Sequence, residues 1–454
     1  MNSDQINKRF HQIVPGGSHT YSKGDDQFPA NAPKIMSHAK GAECWDIEGK
    51  RFIDWAMGNR VMILGHAFDE VDDQVCAAIR KGTNFTRPGI LEYELAEYLV
   101  GLWPCAEMVK FGKNGSDVTT AAVKLSRAYT GRKYVLVCSS HPFFAIHDWF
   151  IGSTEMNSGT LDTERQYTLK FKYNDIESVE QAFDQYPGQI AAVILEPVKN
   201  DSPYAEPRDS DYTVEGISRN GDNNTNFLKY LREKTEATGT VLIFDENIAG
   251  MRFDIRGSHH RYGIYPDLAA FGKAIANGYS CSVLAGKREL MELGGIHHDK
   301  ERVFLLSQTH GSETVGLSAT LATLKACDRL NVTSHVWSLG GRMKARVKDA
   351  ISKNSLNDHV KIIGFDANPQ ILCTKANGDF WPELHTLFHQ YMVDKGILIP
   401  WISITHSHND EHLNYTVEAI EETGAKLRSV ISNDAVSKEL IGDAVKPVFR
   451  KWNN

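Results

Sequence analysis

The stretch Val241-Leu242-Ile243-Phe244-Asp245-Glu246 is a short apolar run that ends on two acids. A run of that length fits a strand buried on both faces, as in a parallel sheet. Such a strand delivers Asp245 at its carboxyl end, where open α/β sheets bind ligands. A second run lies downstream: Pro266-Asp267-Leu268-Ala269-Ala270-Phe271-Gly272-Lys273-Ala274. Here a lysine follows a small-residue apolar stretch. Desolvation in such a place lowers a lysine's pKa and makes its amine a nucleophile toward carbonyls. Each residue alone has an ordinary alternative. A lone aspartate is as readily a helix cap or loop acid, and a lone lysine is a surface residue at a helix start.

The pair is more specific than either member. The two residues are 28 positions apart (273 − 245 = 28), room for a crossover and a return to the same sheet edge. Pyridoxal phosphate (PLP) chemistry needs such a pair: a lysine to hold the cofactor as a Schiff base, and a charged partner at the pyridine nitrogen. A third element is Phe111-Gly112-Lys113-Asn114-Gly115-Ser116-Asp117. It precedes a predicted helix from Val118 to Thr130, apolar at Val118, Ala121, Ala122, Leu125, Ala128 and Tyr129 and stopped by Gly131. Gly115 permits close backbone approach, Ser116 offers a hydroxyl, and the helix N-terminus presents N–H groups to a phosphate. The same residues also suit an ordinary N-cap at Ser116 or Asp117. His141-Pro142-Phe143-Phe144 then offers an aromatic that either stacks on a cofactor ring or joins the core.

Around these runs the pattern is α/β. Apolar strands at Tyr134–Cys138, Ile190–Leu195 and Val241–Phe244 alternate with helical stretches, which predicts a mainly parallel sheet. Residues 1 to 65 are rich in glycine and turns, with a hairpin over Cys44–Ile53. Asp201–Asn226 reads as a long polar surface loop punctuated by Pro203, Pro207, Gly216 and Gly221. After Gly316 a helix–strand pattern resumes and ends in an amphipathic helix near Val417, Ile420, Leu427 and Ile431. The expected organisation is an N-terminal segment (1–65) belonging to a small domain, a large domain (66–315), and a C-terminal small domain (316–454).

Composition agrees with a globular protein of two or three domains: 454 residues, 41% hydrophobic and 24% charged. A formal net charge of −7 without basic blocks argues against nucleic acid or an anionic membrane as partner. The seven dispersed cysteines read as reduced, buried thiols, and no signal peptide or bilayer-length apolar run is visible. A cytoplasmic location follows. His406-Ser407-His408 with Asp410 and His412, and the pairs His259-His260 and His297-His298, match no zinc-ligand spacing. They are expected to be solvated loop histidines, and no metal is expected.

The chain resembles class III PLP-dependent aminotransferases, within them the members similar to glutamate-1-semialdehyde aminomutase. The resemblance runs in order through Val14-Pro15-Gly16-Gly17, Gly41-Ala42-Glu43-Cys44-Trp45-Asp46-Ile47-Glu48-Gly49-Lys50, Leu64-Gly65-His66, Asn114-Gly115-Ser116-Asp117 and Ile194-Leu195-Glu196-Pro197-Val198. It is strongest over Phe244-Asp245-Glu246, Gly250-Met251-Arg252, Pro266-Asp267 and Phe271-Gly272-Lys273, and closes on Ser307-Gln308-Thr309-His310-Gly311-Ser312-Glu313-Thr314. It implies fold type I, with a large PLP domain, a small α+β domain from both chain ends, and a homodimer with shared active sites. It implies that Lys273 forms the Schiff base and Asp245 pairs with the pyridine nitrogen. Gly115 and Ser116 would hold the phosphate, and Thr309 would reach the phosphate of the neighbouring subunit. Phe143 falls where the family usually stacks a tyrosine, and Glu196 near the cofactor's hydroxyl side.

Three departures bear on function. Asn247 stands where the family has an apolar residue against the ring, and Ala249 replaces a common threonine. The segment Leu398-Ile399-Pro400-Trp401-Ile402-Ser403 lacks the acid that semialdehyde aminomutases carry there. The run Ser18–Asp26 is similar to a subgroup associated with surface polysaccharides, which suggests a sugar aldehyde or ketone. The expectation is therefore a transaminase acting on an amino donor and a carbonyl acceptor. An intramolecular aminomutase and a non-catalytic PLP-fold binding protein stand as alternatives.

Overall fold

The computed structural model describes residues 1–215 and 223–453. Seven strands form its largest sheet: Met108–Gly112 (β1), Tyr134–Cys138 (β2), Thr168–Phe171 (β3), Ile190–Leu195 (β4), Val241–Asp245 (β5), Leu268–Phe271 (β6) and Ser282–Gly286 (β7). Their spatial order is β1-β7-β6-β5-β4-β2-β3. β7 runs antiparallel to both its neighbours, and the other pairings are parallel. Every residue of β4, β5, β6 and β7 is buried. Such strands are covered on both faces, which is why they read as unbroken apolar runs rather than alternating ones.

The helix Gly115–Thr130 packs on this sheet with Val118, Ala121, Ala122 and Leu125 inward. Gly131 ends it in the left-handed region at φ 68°. It begins three residues before the apolar periodicity does. Asp117 Oδ2 accepts the backbone N–H groups of Lys113 (3.0 Å) and Asn114 (2.9 Å), so the first turn closes over residues with no apolar face to announce it. The N-cap expected at Ser116 or Asp117 is Asn114.

The chain divides into two compact units, Met1–Phe68 with Ser334–Arg450, and Asp69–Thr333 with the residues from Lys451 onward. The boundaries fall at 68/69 and 333/334, against 65/66 and 315/316 in the sequence reading. The helix Thr314–Arg329 accounts for the later boundary, because it packs on Asp69–Ile79 and Ile90–Leu102, within the unit of the seven-stranded sheet. The other unit holds a four-stranded sheet in which Met36–Lys40, Glu43–Asp46 and Arg51–Asp54 are antiparallel neighbours. Ile397–Leu398 joins Arg51–Asp54 in parallel, so both chain ends build this sheet. A helix absent from the sequence reading, Ser3–Ile13, opens this unit, capped by Asn2 and Gln5.

The stretch 201–226 is not wholly a surface loop. Ser202 and Tyr204 are buried, and Asp211 is buried with its carboxylate accepting the Arg208 N–H at 2.8 Å. Polar composition hid this, since the buried acid is satisfied by local backbone rather than by water. Gly216 and Gly221 lie outside the described residues. The seven cysteines are free thiols, six buried and Cys76 exposed. No helix among the described residues is long and apolar enough to cross a membrane.

Candidate active site

Parallel strands place their carboxyl ends on one edge of the sheet, and there the motif residues gather. Asp245 is the last residue of β5 and lies opposite Ala270 of β6. The Glu246 N–H donates to the Ala270 carbonyl at 2.9 Å, extending that register by one step. Lys273 follows Ala270 by three residues, just past Gly272. Its backbone sits at φ 46°, in the left-handed region that a side chain disfavours by about 1–2 kcal/mol. Strain of that kind concentrates at functional sites. Glu196 continues directly from β4, the strand beside β5.

Asp245 is fully buried, and its carboxyl is pushed up to about 7. Burial is the largest cause and the neighbouring Glu196 charge adds to it; Lys273 and the donors of Asn247 oppose them. Asn247 donates twice to one oxygen, Asp245 Oδ1: its backbone N–H at 3.0 Å and its Nδ2 at 2.6 Å. Asn247 Oδ1 is buried and has no hydrogen-bond partner among the described residues. Glu196 is buried as well, and its N–H donates to His141 Nδ1 at 3.1 Å. Burial and the charge of Lys199 push His141 down to about 3, which keeps that nitrogen an acceptor.

Gly115 is the first residue of its helix. A Cβ added there would lie 2.6 Å from Asn247 Oδ1, and one added to Gly272 would lie 2.3 Å from the same atom. The two glycines thus form a cradle around Asn247 that any side chain would fill. Ser116 is buried, and its hydroxyl accepts the Ile146 N–H at 3.1 Å, tying the helix start to the loop that carries Phe143. Asp117 takes its backbone bonds from residues before the helix, which leaves the Gly115 and Ser116 amides outside that cap. Phe143 is 40% exposed and meets Phe150 edge-on, whereas Phe144 is in the core. Thr309 is exposed; its carbonyl accepts from Asn84 Nδ2 at 3.0 Å. The structure therefore brings Asp245, Asn247, Lys273, Gly115 and Glu196 together and leaves Thr309 on the surface of the chain.

The site's donor set suits PLP. A buried carboxylate, a lysine just past the end of the adjacent strand, a helix start with uncapped amides and a glycine cradle are the elements its ring nitrogen, aldehyde and phosphate require.

The residue that sequence reasoning missed is His259. It was expected to be a solvated loop histidine, but it is fully buried. Its Nδ1 lies 2.6 Å from Glu246 Oε1. Burial works against protonation here; bonds to Cys105 and Glu246 more than offset it and hold His259 up to about 10. His408 is likewise buried rather than solvated. It stacks on Trp55 at 4.1 Å, and both ring nitrogens are bonded, Nδ1 to Thr405 and Nε2 to the Asp54 carbonyl. Rings that find partners for both nitrogens lose the need for water. No group of three or more His, Cys, Asp or Glu side chains that could hold a metal occurs among the described residues. Within the other unit, a cavity of about 480 Å³ is lined by Ser18, His38, Asp54, His66 and Trp401, and His66 Nε2 lies 2.8 Å from Asp54 Oδ2.

The fold is that of PLP-dependent transferases of fold type I. The Sphingopyxis sp. MTA144 FumI protein, solved with PLP, superposes with a TM-score of 0.81 at 23% identity, over 95% of this chain and 97% of that one. A glutamate-1-semialdehyde aminomutase from Pseudomonas aeruginosa PAO1 superposes at 0.77 with 20% identity, over 94% of each chain. The family model for aminotransferase class-III matches residues 24–365, and the chain belongs to that family. It is a PLP-dependent enzyme. Curated relatives include a 3-aminobutyryl-CoA aminotransferase of Cloacimonas acidaminovorans (strain Evry), 28% identical over 92% of this chain and 96% of the relative. Another is a glutamate-1-semialdehyde 2,1-aminomutase of Thermomicrobium roseum (strain ATCC 27502 / DSM 5159 / P-2), 29% identical over 94% of this chain and 98% of the relative.

Proposed function

We propose that the protein is a transaminase that takes an amino group from an amino donor and passes it to a separate carbonyl acceptor. The observation that supports this most is Lys273. It is held in left-handed backbone just past the strand beside Asp245, close enough for its charge to act on that carboxyl. When bound, PLP supplies an aldehyde for the amino group and a ring that withdraws electrons from the substrate carbon. Lys273 would be the amine that anchors the cofactor and the base that moves the substrate proton. Asp245 would be the anion that partners the ring nitrogen. Gly115 and Ser116 would offer backbone and hydroxyl donors to the phosphate, Phe143 would be the aromatic for the ring, and Glu196 would serve its hydroxyl side. Thr309, exposed on a single chain, would serve the phosphate of a second copy, which makes a homodimer part of this reading. A cytoplasmic setting belongs to it too, supported by the buried free thiols.

The sugar acceptor suggested by Ser18–Asp26 finds no support in the names of the relatives reported above, which are an acyl-CoA amine and an amino-acid semialdehyde. The substrate is therefore carried no further than an amino donor and a carbonyl compound. The test of the assignment is Lys273→Ala. The purified variant loses the yellow absorbance of lysine-bound cofactor; retention of the wild-type spectrum would refute it. The second reading, an intramolecular aminomutase, is favoured by the likeness to the Thermomicrobium enzyme. Product formed from a single substrate by the pyridoxamine-phosphate form, with no donor added and in more than one equivalent per site, would select it over the first.

A further inference from the structure

Asp245 must stay ionised if it is to keep a proton on a pyridine nitrogen. Its surroundings work against this: it is wholly buried and Glu196 is a second acid nearby. A buried carboxylate relieves such stress by accepting hydrogen bonds, which favour its charged form. Asn247 supplies two of them from one residue, and both converge on Oδ1. The amide orientation follows from chemistry. With the carboxylate 2.6 Å away, only the NH₂ end of Asn247 can face it, and the oxygen end must turn aside. That oxygen turns into the cradle between Gly115 and Gly272, where a Cβ on either would come within 2.6 Å of it. The absence of side chains at those two positions is what lets the amide lie flat against Asp245. Oδ2 of Asp245 stays outside the Asn247 clamp.

We propose that Asn247 is a positioning residue for the reaction: its amide locks Asp245 by one oxygen in the ionised form, so that the other oxygen meets a protonated ring nitrogen. This rests on the reading of Asp245 as the partner of that nitrogen. The proton between two such groups resides on the stronger base. Two donors on Asp245 make its carboxylate the weaker base and leave the proton on the ring, which is then the stronger electron sink. Without the side-chain donor, the proton shifts toward Asp245.

The test uses the full-length holoenzyme loaded with PLP labelled with ¹⁵N at the ring nitrogen, in wild type, Asn247→Leu, Asn247→Ala and Asp245→Asn. Nitrogen NMR reports ring protonation directly, and equilibrium dialysis reports cofactor affinity. Asn247→Leu is expected to move the ¹⁵N resonance toward that of unprotonated pyridine. It also weakens PLP binding by about tenfold, the size of one charge-assisted hydrogen bond. Asn247→Ala, which removes the amide without adding bulk, gives the same shift and keeps the inference testable if the leucine variant folds poorly. Wild-type resonances in both Asn247 variants, with a moved resonance in Asp245→Asn, would overturn this proposal while leaving Asp245 in its role. An unmoved resonance in Asp245→Asn would instead overturn the reading of Asp245 on which it rests.

Discussion

Asp245 and Glu246 are consecutive, both buried, and treated in opposite ways. Glu246 is fully provisioned. It accepts from the Ser258 N–H at 3.1 Å and the His259 N–H at 3.1 Å, and pairs with His259 Nδ1 at 2.6 Å. Asp245 receives neutral donors from Asn247 on one oxygen, stands near another acid, and titrates at about 7. Both are carboxylates that end one strand, so composition cannot separate them. The difference lies in what the next turn of chain returns to each. The segment after β5 comes back with a histidine and two amides for Glu246, and with the lysine that follows β6 for Asp245. A buried acid whose partners are all in place is holding structure together. One left short of charge neutralisation is prepared for something that is brought to it.

The largest effect that would break this contrast is on catalysis. Asp245→Asn is expected to lower kcat/KM on the order of a thousandfold, the range for losing one charge that acts on the reacting system. Its apo-protein should melt at the same or a higher temperature, because a buried unneutralised carboxyl has been removed. Glu246→Gln should do the reverse. It strands a buried His259 cation and is expected to cost about 3 kcal/mol of stability, read as a lower denaturant midpoint. If Glu246→Gln left stability untouched while abolishing turnover of correctly folded enzyme, the division of labour between the two acids would be wrong.

The sequence was informative about one acid and silent about the other, and the reason is physical. Asp245, Lys273 and the Gly115–Ser116 turn are each tied to a strand end or helix start, and apolar runs mark where those lie. The strands β2, β4 and β5 were legible for the same reason. His259 carries no such mark. Its burial depends on meeting Glu246 across a chain reversal, and a His-His pair amid polar residues has the composition of a loop. The helix Ser3–Ile13 was missed because its residues are mostly polar, its only apolar side chains at helical spacing being Ile6, Phe10 and Ile13, and its cap, Asn2 with Gln5, is a side-chain arrangement. Asn247 was visible as a departure from the family, but its bond to Asp245 required coordinates.

A pH series on the apo-protein would sharpen the contrast, since both sites lower stability as pH rises but over different windows. Asp245 in the fold titrates at about 7 against 3.8 as its ordinary value, with burial, Glu196, Lys273 and Asn247 acting on it. Between those values the folded state binds more protons than the unfolded chain, so stability falls as pH rises from about 4 to 7. His259, raised to about 10 by Cys105 and Glu246 against its burial, contributes stability that is complete below its ordinary 6.5 and is lost as pH rises through about 10. Each group adds a slope of at most about 1.4 kcal/mol per pH unit. Melting temperatures of Asp245→Asn should lose the dependence between pH 4 and 7, and those of Glu246→Gln the dependence above 7. A slope in either window that survives its own variant would assign it to other groups.

The smallest expected effect concerns the cradle that lets Asn247 reach Asp245 at all. Gly115→Ala places a methyl group 2.6 Å from Asn247 Oδ1, closer than carbon and oxygen tolerate, so the amide must rotate and its bond to Asp245 lengthen. Alanine at a helix position is otherwise favoured over glycine, by up to about 1 kcal/mol. The two tendencies oppose, and the net change in stability is small. Coupling is the more decisive quantity. In wild-type background Gly115→Ala should cost about 1 kcal/mol, whereas in an Asn247→Ala background the same change should be neutral or stabilising, since the atom it strikes is gone. A double-mutant cycle on thermal midpoints measures that difference. Additive effects of the two substitutions would mean that Gly115 is small for the sake of something other than Asn247, and the link from glycine through amide to carboxylate would be cut at its first step.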